Sequence, residues 1–168
     1  MTGVQTCALP ISSYAKSGTG KETIAPIASN MGLNQYVTEN PDRIPYFESL
    51  QKLTEADLLI IPGSSDPNYT ASKLYPYILA KKPILAVFSA SSSVINVLKV
   101  TNAGNFITFD ASKLDFEAKA MELFPIFEKM LQNLPFTPLS NWQAFQPYTA
   151  LEMTKKQVYF FEKVLSLS

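Results

Sequence analysis

The stretch from Ala56 to Phe88, ADLLIIPGSSDPNYTASKLYPYILAKKPILAVF, constrains the fold more than any other part of the chain. Asp57 to Ile61 is an apolar run of β type that stops at Pro62-Gly63, and Ile84 to Phe88 is a second continuous apolar run of strand length. Between them Ser72 to Ala80 reads as a helix halted by Lys81-Lys82-Pro83, where cations complement the negative end of the helix dipole. The loop that begins at Gly63 therefore leaves the carboxyl end of a strand, the place where open α/β sheets hold ligands. Thr70, Ala71, Ser72 and Lys73 then open the helix with backbone N–H groups, hydroxyls and an ammonium, a combination suited to an anion.

The same alternation runs through the flanking sequence. Lys21 to Met31 has apolar residues at helical spacing and ends at Gly32, as a helix with a glycine cap does. Gln35 to Thr38 reads as a short strand, and Ile44 to Leu53 as a helix with Pro45 in its first turn and Tyr46, Leu50 and Leu53 on one face. Downstream come a helix near Ser93 to Lys99 and a strand at Asn105 to Phe109. A longer helical pattern from Ser112, as N-cap, to Leu134 is kinked or broken at Pro125. Leu134 to Pro147, rich in proline and aromatics, reads as an ordered crossing segment. A last helix, Ala150 to Leu165, sets Met153, Val158, Phe161 and Leu165 near one face for packing on the sheet. Such alternation predicts an α/β domain with a parallel sheet covered on both faces.

Composition closes off several chemistries. At 168 residues and 46% apolar the chain can bury a core as one domain. Fourteen basic residues balance fourteen acidic ones, which removes the broad positive field expected of a nucleic-acid binder. There is no histidine, and the single cysteine is Cys7, so Ser-His-Asp triads, Cys/His catalysis and Cys/His zinc sites are excluded. Apolar runs fall short of a membrane span, and a cytoplasmic setting, at most at the inner face of a membrane, is expected. Residues 1–11, MTGVQTCALPI, read as the in-frame translation of a common short-read sequencing adapter, so the natural protein is expected to begin near Ser12 or Ser13 and to continue a missing upstream part. Ala8 to Ile11 are expected to fill the open sheet edge as a strand beside the Gln35 or Asp57 strand. Ser17 to Lys21, SGTGK, lacks the P-loop glycine at Ala15 and the hydroxyl at Glu22, and so cannot supply the magnesium ligand of a nucleotide hydrolase.

The Ala56–Phe88 run, the SSYA turn at Ser12–Ala15, the segment NPDRIPYFESLQKLTEAD and the closing FQPYTALEMTKKQ together resemble the donor-binding C-terminal half of a GT-B glycosyltransferase of the group-1 or family-4 kind. The resemblance covers Ser12 to Ser168 and implies a Rossmann-like three-layer domain with an incomplete parallel sheet and C-terminal helices. It implies transfer of a sugar from a nucleoside-diphosphate donor to a hydroxyl acceptor, with the acceptor base in a missing N-terminal domain and no metal or further cofactor. By family position Thr70, Ala71, Ser72 and Lys73 would face the donor diphosphate, and Gly63, Ser64 and Ser65 would line the crevice, near Tyr69. Arg43 and Ile44 would lie where the base is lodged; Arg43 reads equally as a surface cation near Glu39 or Asp42. Two glutamates common in relatives are replaced by Asn68 and Pro76, which leaves the donor ribose to Asp66 or to backbone. Ser89 to Ser93 stand where close relatives often carry a His-Glu pair, and read equally as a helix-capping turn. A second reading of the chain, from a different class, is a non-catalytic Rossmann-like nucleotide-binding or scaffolding module; an epimerase-like enzyme of the same two-domain fold ranks below both.

Overall fold

A computed structural model describes residues 21–42, 44–64, 69, 71–113 and 115–166. Three parallel strands in the order β1-β2-β3 form the sheet among these residues: β1 Leu59–Pro62, β2 Ile84–Ser89 and β3 Asn105–Phe109. Leu59 pairs with Ile84 and Pro62 with Val87, while Leu85 pairs with Asn105 and Ser89 with Phe109. The N–H groups of Leu59 and Gly63 donate to the Pro83 and Val87 carbonyls, so β1 turns its odd-numbered donors toward β2. Pro62, which has no N–H, therefore sits where its nitrogen faces away from the ladder.

Alternation along the strands builds two layers on the sheet. Leu59 and Ile61 of β1 and Ile84, Ala86 and Phe88 of β2 face one core. That core takes in Leu53 of α2 (Tyr46–Glu55), Leu74, Tyr77 and Ile78 of α3 (Leu74–Leu79), and Val94, Val97 and Leu98 of α4 (Ser93–Thr101). Leu58, Ile60 and Leu85 face the other way, onto Leu123, Ile126, Phe127 and Met130 of α5 (Phe116–Gln132). The architecture is thus α/β and Rossmann-like, helix over sheet over helix.

The segment after α5 crosses back over the first layer and is tied down at several points. The Asn141 N–H donates to the Thr101 carbonyl at 2.6 Å and the Asn102 amide to the Leu139 carbonyl at 3.1 Å. Lys81 places its ammonium 5.4 Å from the centre of the Trp142 ring, and Phe145 of α6 (Trp142–Phe145) enters the core. Tyr148 stacks on Tyr75 before α7 (Ala150–Leu165) begins. The ordered crossing segment and the bounds of this last helix agree with the sequence expectation.

Several expectations are corrected. Gln35 to Thr38 is no strand: Asn34–Tyr36 form a 3-10 turn that packs against α1 (Ala25–Asn30). That helix is shorter than its apolar pattern, and Ile27 is 60% exposed; only Ala28 is buried. Its glycine ending holds, because Gly32 has φ +69° while Leu33 and Gly32 donate to the Ala28 and Ser29 carbonyls. Pro45 is the residue before α2, and Tyr46, expected on the inner face, is 69% exposed. Asp115, not Ser112, caps α5 by accepting from the Ala118 N–H at 3.0 Å. Pro125 does not break this helix: the carbonyl it deprives of a partner belongs to Met121, 79% exposed, where solvent can serve it. The α7 face does not pack on the sheet, since no residue of the helix is buried and Phe161 is 59% exposed. The expected strand at Ala8–Ile11, the adapter-like segment and the SSYA turn lie outside the described residues.

The start of α1 has an unforeseen cap. The Glu39 carboxylate accepts from the N–H groups of Thr23, Ile24 and Ala25 at 2.8–3.0 Å and from the Thr23 hydroxyl. The Ala25 N–H, then those of Thr23 and Ile24, hold its pKa below the ordinary 4.5. A carboxyl depressed on folding contributes stability above its unfolded value and loses it as the pH falls through the folded value. Protection of the Ala25–Asn30 amides, measured relative to their intrinsic exchange rates, is therefore expected to fall as the pH drops through the lowered Glu39 value, and Glu39→Gln to show the reduced protection at every pH.

Candidate functional site

Parallel pairing brings the ends of the three strands to one edge. The Val87 carbonyl accepts from Gly63 N–H at 2.6 Å, and the Phe109 carbonyl from Ala90 N–H at 3.0 Å. Gly63-Ser64, Ser89–Ser92 and Asp110 thus emerge side by side beyond β1, β2 and β3. The direction of α2, which runs toward the start of β1, sets half-buried Ile44 toward the same end.

The turn after β2 is the most defined part of this edge. Ser92 is buried, donates its N–H to the Ser89 carbonyl at 2.9 Å and accepts from the Val94 N–H with its hydroxyl at 3.3 Å. It is the N-cap of α4, so the capping reading of the serine turn is the one that the structure carries. The hydroxyls of Ser89 and Ser91 lie 3.1 Å apart, with Ser91 toward solvent. Beyond β3, Asp110 accepts from the N–H and hydroxyl of Ser112 at 2.9 and 2.7 Å; these bonds, the hydroxyl's first, hold its carboxyl below the usual range.

The loop between β1 and α3 differs from expectation in detail. Gly63 allows a close approach, but to β2: a Cβ there would sit 2.3 Å from the Val87 carbonyl oxygen and 2.8 Å from the Phe88 ring. Ala71 is buried in the core, and Tyr69 packs against the same cluster, so neither presents its side chain to an open crevice. The helix begins at Leu74, with Lys73 in the N-cap position and no side-chain cap; Ser72 is exposed in the preceding turn and does not cap it. The physical reason is the burial of Ala71: anchoring that methyl in the core curls the chain through a turn, with Leu74 N–H donating to the Ala71 carbonyl, before α-helical bonding starts. Lys73 is half-buried, and desolvation pushes its pKa below the ordinary 10.5. Ser64 is half-buried at the strand end. Arg43, Ser65, Asp66, Asn68 and Thr70 lie outside the described residues.

A concavity that was not anticipated lies at the opposite end of the sheet. About 540 Å³ is enclosed by Asn105, at the start of β3, by Ile126, Lys129, Met130 and Asn133 at the end of α5, and by Phe136. A recess of about 180 Å³, sharing Asn105, Met130 and Phe136, continues to Pro83 and Ile84. The spacing of Ile126, Lys129, Met130 and Asn133 marks one face within the helical pattern of Ser112 to Leu134, a signal present in the sequence. Among the described residues no three acidic side chains converge to hold a metal, and no helix is long and apolar enough to cross a membrane.

Comparison of the chain with protein-family models, curated proteins and solved structures gives no match. The structural class is therefore what stands on observation: a Rossmann-like α/β domain with a hydroxyl-bearing edge at the strand carboxyl ends.

The capping role of Ser92 yields a direct test. Ser92→Ala is expected to destabilise the chain by about 1 kcal/mol in urea unfolding, the usual cost of losing a hydroxyl cap, whereas exposed Ser93→Ala should change it by less than about 0.5 kcal/mol.

Proposed function

We propose that this chain is the donor-binding half of a glycosyltransferase, holding a nucleoside-diphosphate sugar at the strand carboxyl edge for transfer to a hydroxyl acceptor. The observation that carries this reading is the coincidence of three features at that edge. Gly63-Ser64 and the Ser89–Ser92 turn lie side by side, and half-buried Lys73 ends the loop that leaves β1. The sequence resemblance supplies the reaction and the upstream acceptor domain, and the cytoplasmic setting, at most at the inner face of a membrane, is the one expected from the lack of a membrane-length apolar run in the sequence. In this reading the Lys73 ammonium, already short of water, meets the diphosphate and stabilises the charge that grows on it as the sugar departs. With only six residues, α3 contributes little dipole, so the electrostatic work falls on Lys73.

A second reading, a non-catalytic nucleotide-binding or scaffolding module, is favoured by a different observation. Ala71 is committed to the core and the Gly63 contact is with β2, so two of the expected donor contacts serve packing. Calorimetric titration of the full chain with uridine, guanosine and adenosine diphosphates separates the two. The glycosyltransferase reading expects selective, saturable binding of one diphosphate, weakened about five- to tenfold in Lys73→Ala, as for a partly screened charge contact. Saturable binding by none of the three, in a sample with intact near-ultraviolet dichroism, would overturn it in favour of scaffolding.

A further inference from the structure

We propose that the cavity at the amino ends of β2 and β3 is a binding site for a neutral, flat, fused-ring heteroaromatic molecule of the nucleobase type. It lies at the end of the sheet opposite the hydroxyl-bearing edge and is independent of the donor reading. A volume of about 540 Å³ falls in the range of small-molecule sites. The cavity is preformed. Met130 and Ile84 of its floor are buried, and Gly104 lies so close to β2 that an added Cβ would meet Ile84 Cβ at 2.7 Å. The crossing segment beside it is held by the Asn102–Leu139 and Asn141–Thr101 hydrogen bonds.

The walls specify the chemistry. Ile126, Met130 and Phe136 offer an apolar surface on which a ring can lie, with the Met130 thioether suited to an aromatic face. Asn105 stands at the rim with both an amide donor and an amide acceptor, and among the described residues its side chain has no hydrogen-bond partner. A carboxamide in that state pairs in a bidentate manner with an edge carrying an adjacent donor and acceptor, as the amino and ring-nitrogen edge of adenine does. Asn133 donates to the Lys129 carbonyl at 2.6 Å, which leaves its amide oxygen as a further acceptor.

Electrostatics argue for neutrality. Helices α4 and α5 both end here, at Asn102 and Asn133, and their terminal carbonyls oppose an anion. Lys129, which joins none of the ion pairs among the described residues, opposes a cation. An uncharged ring with a polar edge meets neither penalty.

The test is a titration of the full-length, isotope-labelled chain with adenine, followed by amide chemical shifts, with purine (which lacks the amino group) and 1-naphthoate as companions. Saturable shifts are expected at Asn105, Met130–Asn133 and Phe136. Adenine should bind more tightly than either companion, and Asn105→Ala, at an exposed position, should weaken adenine by at least about fivefold and purine, which keeps only the ring-nitrogen half of the pairing, by less. Shifts confined to Ser64 and Ser89–Ser92, no saturable shift, tighter binding of naphthoate, or an Asn105→Ala variant that binds adenine normally would each overturn the proposal.

Discussion

Strand β2 is the member on which the rest of the structure depends. It is the only strand with neighbours on both sides among the described residues, and it is buried on both faces. Ile84, Ala86 and Phe88 anchor the layer of α3 and α4, and Leu85 anchors the layer of α5. Two glycines, far apart in sequence, are needed because β2 occupies the space of their missing side chains: Gly63 at its carboxyl end and Gly104 at its amino end. Burial of a continuous apolar strand thus dictates the positions of both flanking strands, and through them both ends of the sheet.

Those two ends are chemically opposite, as the direction of parallel strands and connecting helices requires. At the carboxyl end the α4 N-terminus meets serine hydroxyls, and Lys73 is partly desolvated. At the amino end, helix C-termini, three asparagines and an apolar wall line a concavity. The first end thus carries helix N-terminal and lysine positive charge, and the second sets helix carbonyls against the Lys129 ammonium. The distinction follows from the helix dipoles as much as from the side chains.

The core of this arrangement was legible in sequence because it rests on continuous apolar runs. The Asp57–Ile61 run is strand from Leu59, and the Ile84–Phe88 run is strand throughout and almost wholly buried, while Asn105–Phe109 is a strand in which burial deepens toward Phe109; the serine-rich start of α4 follows from side-chain oxygens that cap helices locally. What was illegible depends on contacts distant in sequence. Glu39 caps a helix through residues fifteen or so positions earlier, a partnership that no local pattern announces. Ser72 has the right side chain for a cap, but the pull of Ala71 into the core moves the helix start past it. Val37 and Thr38 favour strand, and Val37 is extended, yet the residues before them, Asn34–Tyr36, form a 3-10 turn beside α1, and among the described residues neither joins the sheet. Periodicity on α7 reports an apolar face without saying what it meets. The amino-end cavity needed the return of the crossing segment, which places Phe136 against α5.

Native-state hydrogen exchange on the full chain tests the central place of β2 most directly. The amides of Leu85–Phe88 are expected to exchange only through global unfolding, with a free energy equal to that from denaturant, while those of α7 and α1 open locally at much lower cost. Exchange of the β2 amides at the rate of α7 would contradict the central place of β2 in the sheet.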